Sequence, residues 1–207
     1  MAEITAQTVN EFRKMTGLGL MECKTLLKEA DGDLKKAMTL AAEKGKANAA
    51  KRSGRAARAG RVEVYIHHDG KSGALIEVNC ETDFVARNEE FRQLARDLAL
   101  QVVAANPVSV RREDVDPALV EEQRRIFLKQ AEDKPEAMRG KIAEGKLNSW
   151  YSESVLLDQV FVKDSTKTVR EVIVDVNARV GENISIARFA RFIVGESAPA
   201  EAPEAEA

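Results

Sequence analysis

Few stretches of this 207-residue chain carry side chains at spacings that could do chemistry. Gly70, Lys71 and Ser72 spell the end of a phosphate-binding loop, but that loop needs a glycine five residues before Gly70, and position 65 is Tyr65. His67 and His68 are adjacent, so on a strand they point to opposite faces and cannot chelate one metal together. "DGD" at 31–33 lacks the further ligands and the glutamate of a calcium loop and reads as a turn. Cys23 and Cys80 lie far apart in ordinary periodic segments and form no C-x-x-C, which points to buried small hydrophobes in a reducing compartment. There is no G-x-S-x-G and no H-E-x-x-H, and the acids lie mostly on polar helical faces. No catalytic set, cofactor site or metal site is expected.

One stretch resists a bland reading. In "NCETDFVARNEEF", residues 79–91, Phe84 stands between a strand-like and a helix-like run, behind a carboxylate and ahead of a cluster of charge. If the helix that carries Phe91 ran backwards without a break, Phe84 would lie one heptad earlier on its apolar face and belong to the core. If Asn88 caps that helix and Thr82 or Asp83 caps a separate short turn, Phe84 is free to project elsewhere. Spacing alone leaves both open.

The elements around that stretch divide the chain. Ile4, Val9 and Phe12, then Leu20, Cys23, Leu27 and Ala30, then Leu34, Ala37, Met38 and Ala41 stripe three short helices within residues 1–42, broken at "TGLG" (16–19) and "DGD". Residues 43–61 turn small and basic, with no large apolar side chain. This reads as a linker, partly helical through its alanines. The competing reading is an RNA or ribosome contact over 44–61, in which Lys51, Arg52, Arg55, Arg58 and Arg61 line phosphates. The linker is favoured because no aromatic interleaves the cations as a stacking site requires.

From residue 62 the period changes to two. Val62, Val64 and Ile66, then Ala74, Ile76, Val78 and Cys80, alternate about the turn "HHDGKSG" as a β-hairpin. Phe91, Leu94, Ala95, Leu98 and Val102 follow at helical spacing. Asp116 and Pro117 open another helix, and Pro135 a further one. "SVLLDQVFV" (154–162) reads as a short buried strand or extended segment. Thr168 and Glu171 have capping-box spacing before a helix that ends at Gly181, and 182–194 reads as a last strand able to join the hairpin. The fold class expected is α+β: a bundle over 1–42, a basic linker over 43–61, a core over 62–195 with a small antiparallel sheet packed by helices, and an acidic disordered tail over 196–207.

Lys+Arg 32 against Asp+Glu 34 gives a net charge of −2, so no global field of either sign marks a binder of nucleic acid or membranes. The N-terminus lacks an apolar signal core, and no apolar run approaches ~18 residues. A cytosolic protein is expected.

"TGLGLMECKTLLKEADGDLKKAM", "EVNCETDFVARNEEF" and "GENISIARF", in this order, resemble bacterial elongation factor Ts, the nucleotide-exchange factors of elongation factor Tu. The resemblance covers bundle, linker and core. It implies a ubiquitin-associated-like three-helix domain ahead of the core, and no catalytic activity, since exchange makes and breaks no bond. It also implies that Thr82, Asp83, Phe84 and Val85 insert near the magnesium and phosphate region of the partner and dislodge its Mg2+. By the same resemblance Arg13, Leu20, Met21 and Lys24 dock on the partner's nucleotide domain, with Leu20 standing where the family has methionine. Neither a second copy of the core nor the long coiled-coil hairpin of longer members is visible, so the chain is similar to the short form, for which a homodimer and a two-to-two complex are expected. No specific nucleic acid and no membrane is implied as a partner.

Overall fold

The computed structural model describes residues 4–16, 18–52 and 54–196. Gly17 of the first break and the acidic tail from residue 197 lie outside them. The fold is α+β, a three-helix bundle followed by a core of small antiparallel sheet and helices.

Helices α1 (Ala6–Thr16), α2 (Leu20–Glu29) and α3 (Leu34–Arg52) form the bundle around Phe12, Cys23, Leu26, Leu27 and Ala37, all essentially without solvent access. Asp33, the last residue of the "DGD" turn, starts α3, its Oδ1 accepting from the amides of Lys35 (2.8 Å) and Lys36 (3.1 Å). What differs is where α3 stops. It continues through the first half of the segment read as a linker and lies against α8 (Val169–Val180). Small residues permit this: a Cβ at Gly45 would sit 2.8 Å from the Ala178 Cβ, closer than two such carbons pack. The same lack of large side chains that argues against a core lets two helix backbones approach.

β1 (Ala59–Ile66) and β2 (Ser72–Cys80) form the hairpin, and β5 (Ser185–Ile193) pairs with β2, giving the antiparallel order β1-β2-β5. Helix α5 (Glu89–Ala105) covers one face. Its Phe91, Leu94, Ala95, Leu98 and Val102 pack with Ile76, Val78, Ile173, Ile184 and Ile186. Apolar residues occupy both alternations of β5 because a bulge shifts its phase: Glu77 pairs with Arg188 and Val78 with Ile186, leaving Ala187 as the extra residue. Ile184 and Ile186 therefore face the core before the bulge, and Phe189 faces it after.

β1 is inverted relative to the hydrophobic pattern. Arg61, Glu63 and Tyr65 lie on the helix-covered side, while Val62, Val64 and Ile66 face outward and are exposed. The register sets Ile66, Gly73 and Phe192 in one outer row and Val64, Leu75 and Ala190 in the next. The result is an apolar sheet face that none of the described residues covers.

Beyond α5, α6 (Pro117–Lys129) and α7 (Glu136–Ser154) pack chiefly on each other, joined by Arg124–Glu144 (3.1 Å) and Lys146–Gln130 (2.7 Å). Both helices are the ones expected from Asp116–Pro117 and from Pro135; only their pairing into a short hairpin goes unannounced in the sequence pattern. The segment 154–162 is buried at Val155 and Leu156 and then turns into β3 (Val160–Phe161), which pairs with β4 (Asp164–Thr168). The Thr168–Glu171 capping box that opens α8 is formed. Among the described residues no helix is long and apolar enough to cross a membrane.

Candidate functional site

At the end of β2 the chain leaves the sheet and makes one isolated helical turn, α4 (Asp83–Ala86), before α5. Thr82 has extended backbone, and its Oγ1 accepts from the Val85 amide at 3.4 Å. Asn88 is the N-cap of α5, its Oδ1 accepting from Glu90 N at 2.8 Å. The break at Arg87 and Asn88 takes Phe84 off the apolar face of α5, which decides the question the spacing left open. Phe84 is 82% exposed and is not core. Thr82 and Asp83 are exposed beside it, whereas Val85 turns inward at 4% and anchors the turn.

Burying nothing of its own tip, the turn is held from below. Glu182, just after the left-handed Gly181 that ends α8, accepts from the amides of Glu81 (3.1 Å) and Thr82 (3.0 Å) through Oε2 and from the Thr82 hydroxyl (2.6 Å) through Oε1. Glu81 reaches the opposite way, its Oε1 accepting from Asn183 N at 2.7 Å. Arg55, just past α3, lies 3.4 Å from Glu81 Oε2, and its carbonyl accepts from Asn183 Nδ2 at 2.9 Å. The Asn183 amide, with the Arg55 guanidinium and against some burial, holds the Glu81 carboxyl below its ordinary range. Cys80 lies beneath the turn and donates to Thr82 O at 3.2 Å. Burial first, then the charges of Glu182 and Asp83, push its thiol up, and it is the buried small side chain the sequence suggested. Glu182, Glu81 and Arg55 escape a reading by residue type, because their partners are backbone groups about a hundred residues away for the two acids. Their sequence signals are only that Glu182 stands inside "GENISIARF", that Glu81 stands inside "EVNCETDFVARNEEF", and that Arg55 is one of the cations of 44–61.

The second group of expected residues lies on the bundle. Arg13 is in the last turn of α1, and Leu20, Met21 and Lys24 are in the first turns of α2; all four are exposed, Met21 at 73% and Leu20 at 50%. Met15 is exposed nearby and adds an apolar side chain that the spacing did not single out.

The decoys resolve as turns and pairs. Residues 67–72 close the hairpin, with His67 N donating to Ser72 O (2.8 Å) and Gly70 N to His67 O (2.9 Å). No group of three or more metal-binding side chains occurs among the described residues. Of the cations in 44–61, Arg61 pairs with Glu63 at 3.0 Å on the covered side of β1 and Arg55 pairs with Glu81, so they do not form one free stripe.

The profile of the family described as Elongation factor TS matches residues 2–196. The chain belongs to the elongation factor Ts family. It is 50% identical to the elongation factor Ts of Desulforamulus reducens over 198 residues, covering 95% of this chain and 91% of that one. Against the elongation factor Ts of Finegoldia magna the identity is 50% over 206 residues, covering 95% and 92%. Against that of Anaeromyxobacter dehalogenans it is 52% over 198 residues, covering 95% and 90%. In elongation factor Ts terms, the three quoted motifs fall on α2 with its flanks, on the β2–α4–α5 turn, and on the α8–β5 junction. The second and third of these meet through Glu182.

Proposed function

We propose that this protein is a guanine-nucleotide exchange factor for elongation factor Tu, acting in translation elongation and making no covalent change itself. The observation that carries the reading is Phe84, a large aromatic exposed at the tip of a turn whose base is anchored in the core. A GTPase holds its nucleotide through a phosphate-cradling loop and a bound Mg2+. A partner that binds the nucleotide-free form more tightly must weaken nucleotide binding by the same factor.

Leu20 and Met21 supply apolar anchoring on the partner's nucleotide domain, with Arg13 and Lys24 as polar rim contacts. Phe84 then enters near the Mg2+ and phosphate region as a rigid wedge. Asp83, exposed on the same turn, accepts hydrogen bonds from the partner's backbone amides and holds the wedge in register, while Thr82 caps the turn. Val85 contributes from behind by fixing the turn to the core. Loss of Mg2+ contacts and release of GDP follow. Release of a fluorescent GDP from elongation factor Tu on adding this protein tests the reading, and an unchanged release rate would overturn it.

The outer sheet face supports a homodimer as the second part of the reading. Val62, Val64, Ile66, Leu75 and Phe192 form an exposed apolar surface that a second copy can cover, and a symmetric dimer carries two wedges for two partner molecules.

A further inference from the structure

We propose that Glu182 is the positioning residue of the exchange wedge: its carboxylate holds the Thr82–Val85 turn in the one pose that presents Phe84. This rests on the exchange reading above and extends it to a residue 100 positions along the chain from Thr82. Because Phe84 is exposed, packing does not set its direction; the backbone of the turn does. The pairing of β2 with β5 ends at Asn79 and Ser185, so the amides of Glu81 and Thr82 leave the ladder together. Glu182 accepts both of them and the Thr82 hydroxyl, and that hydroxyl oxygen in turn accepts from Val85 N. One side chain thus ties the residue after β2, the cap and the first turn of α4 into a single bonded chain. Glu81 returns the contact to Asn183 N, so the two segments are crossed at two points rather than hinged at one. A site held within a fraction of an ångström needs such a supporting shell, and a loosened wedge would dock but press on the partner only part of the time.

The geometry also sets what a substitution does. Glutamine keeps one carbonyl oxygen that can accept from both amides while its NH2 donates to the Thr82 oxygen, so it preserves most of the tie. Alanine removes all of it.

The test compares Glu182→Ala, Glu182→Gln and Phe84→Ala in the full chain. The measurements are amide hydrogen exchange of residues 81–85, melting temperature, and GDP release from elongation factor Tu across a concentration series. Glu182→Ala is expected to lose protection at Glu81, Thr82 and Val85 at least tenfold. Its maximal GDP-release rate should fall about tenfold, while the concentration at half-maximal rate stays within about twofold of the parent. Glu182→Gln should recover most of both losses. A merely structural role would lower the melting temperature and leave the maximal rate of the folded fraction unchanged, and that result overturns the proposal. Full exchange by Glu182→Ala beside slow exchange by Phe84→Ala also overturns it and leaves the wedge standing. Full exchange by both removes the wedge and this proposal with it.

Discussion

Phe84 and Val85 are consecutive and point opposite ways, Phe84 82% exposed and Val85 4% exposed. Within one helical turn the chain presents a large aromatic to solvent and secures it with the next side chain. The two residues should therefore separate function from stability. Val85→Ala removes two buried carbons and leaves a small cavity, costing roughly 2 kcal/mol. Phe84→Ala gives up little buried area and should cost under about 0.5 kcal/mol. Urea denaturation of the two variants measures this, and a loss of several kcal/mol for Phe84→Ala would return Phe84 to the core.

Docking is expected to reside in the bundle. Met21→Asp places a charge where an exposed apolar side chain stands, and on the docking proposal should raise the concentration giving half-maximal exchange about tenfold or more while leaving the maximal rate nearly intact. Substitution is the cleaner probe, because α3 runs unbroken from Leu34 to Arg52 against α8 and removal of residues 1–42 would sever it. A fall in maximal rate with unchanged half-saturation would contradict the division between docking and wedging.

Much of this architecture is visible in local pattern. The bundle stripes, the Asp33 and Asn88 caps, the Thr168–Glu171 box and the hairpin turn are all decided by residues within a few positions of one another. Relationships set by tertiary pairing are not. Alternation places Val62, Val64 and Ile66 on one face of β1 but cannot say which face the helices cover, and here the charged pair Arg61–Glu63 lies on the covered side. The bulge at Ala187 likewise changes the phase of β5 without marking the sequence. Strand β4, "DSTKT", carries no apolar alternation at all. The candidate site was legible in its tip, through Phe84 and its flanking caps, and illegible in its base, because Glu182 recognises backbone amides rather than a residue type.

The inverted β1 has a measurable consequence. Static light scattering at micromolar concentration should give twice the chain mass, and Val64→Glu should return it to the monomer mass, since a buried unpaired carboxylate opposes association. Val64 is exposed, so its replacement should leave the melting behaviour of the monomer unchanged to within about 0.5 kcal/mol. A monomer mass for the unsubstituted protein would defeat the stable dimer.

Acid should weaken the junction between the 3₁₀ turn at Arg112–Asp114 and the start of α8. Burial alone would raise the Asp158 carboxyl, but hydrogen bonds and charge from Arg112 and Arg170 outweigh it and hold the group below its ordinary range. A carboxylate depressed in the folded state contributes fully above its unfolded value of about 3.9 and loses that contribution as the pH falls through the folded one. Asp158→Asn should therefore destabilise most at neutral pH, with the difference from the parent shrinking as the pH falls below the unfolded value of about 3.9. A difference independent of pH would show that the two arginines do not act through the charge.

Release of fluorescent GDP from elongation factor Tu, followed with saturating parent protein, with saturating Phe84→Ala and with neither, bears most directly on the exchange reading. The parent should accelerate release by at least about a hundredfold, a barrier change of about 2.7 kcal/mol, and Phe84→Ala should lose at least nine-tenths of that acceleration while melting with the parent. Equal acceleration by the parent and by folded Phe84→Ala would contradict the wedge.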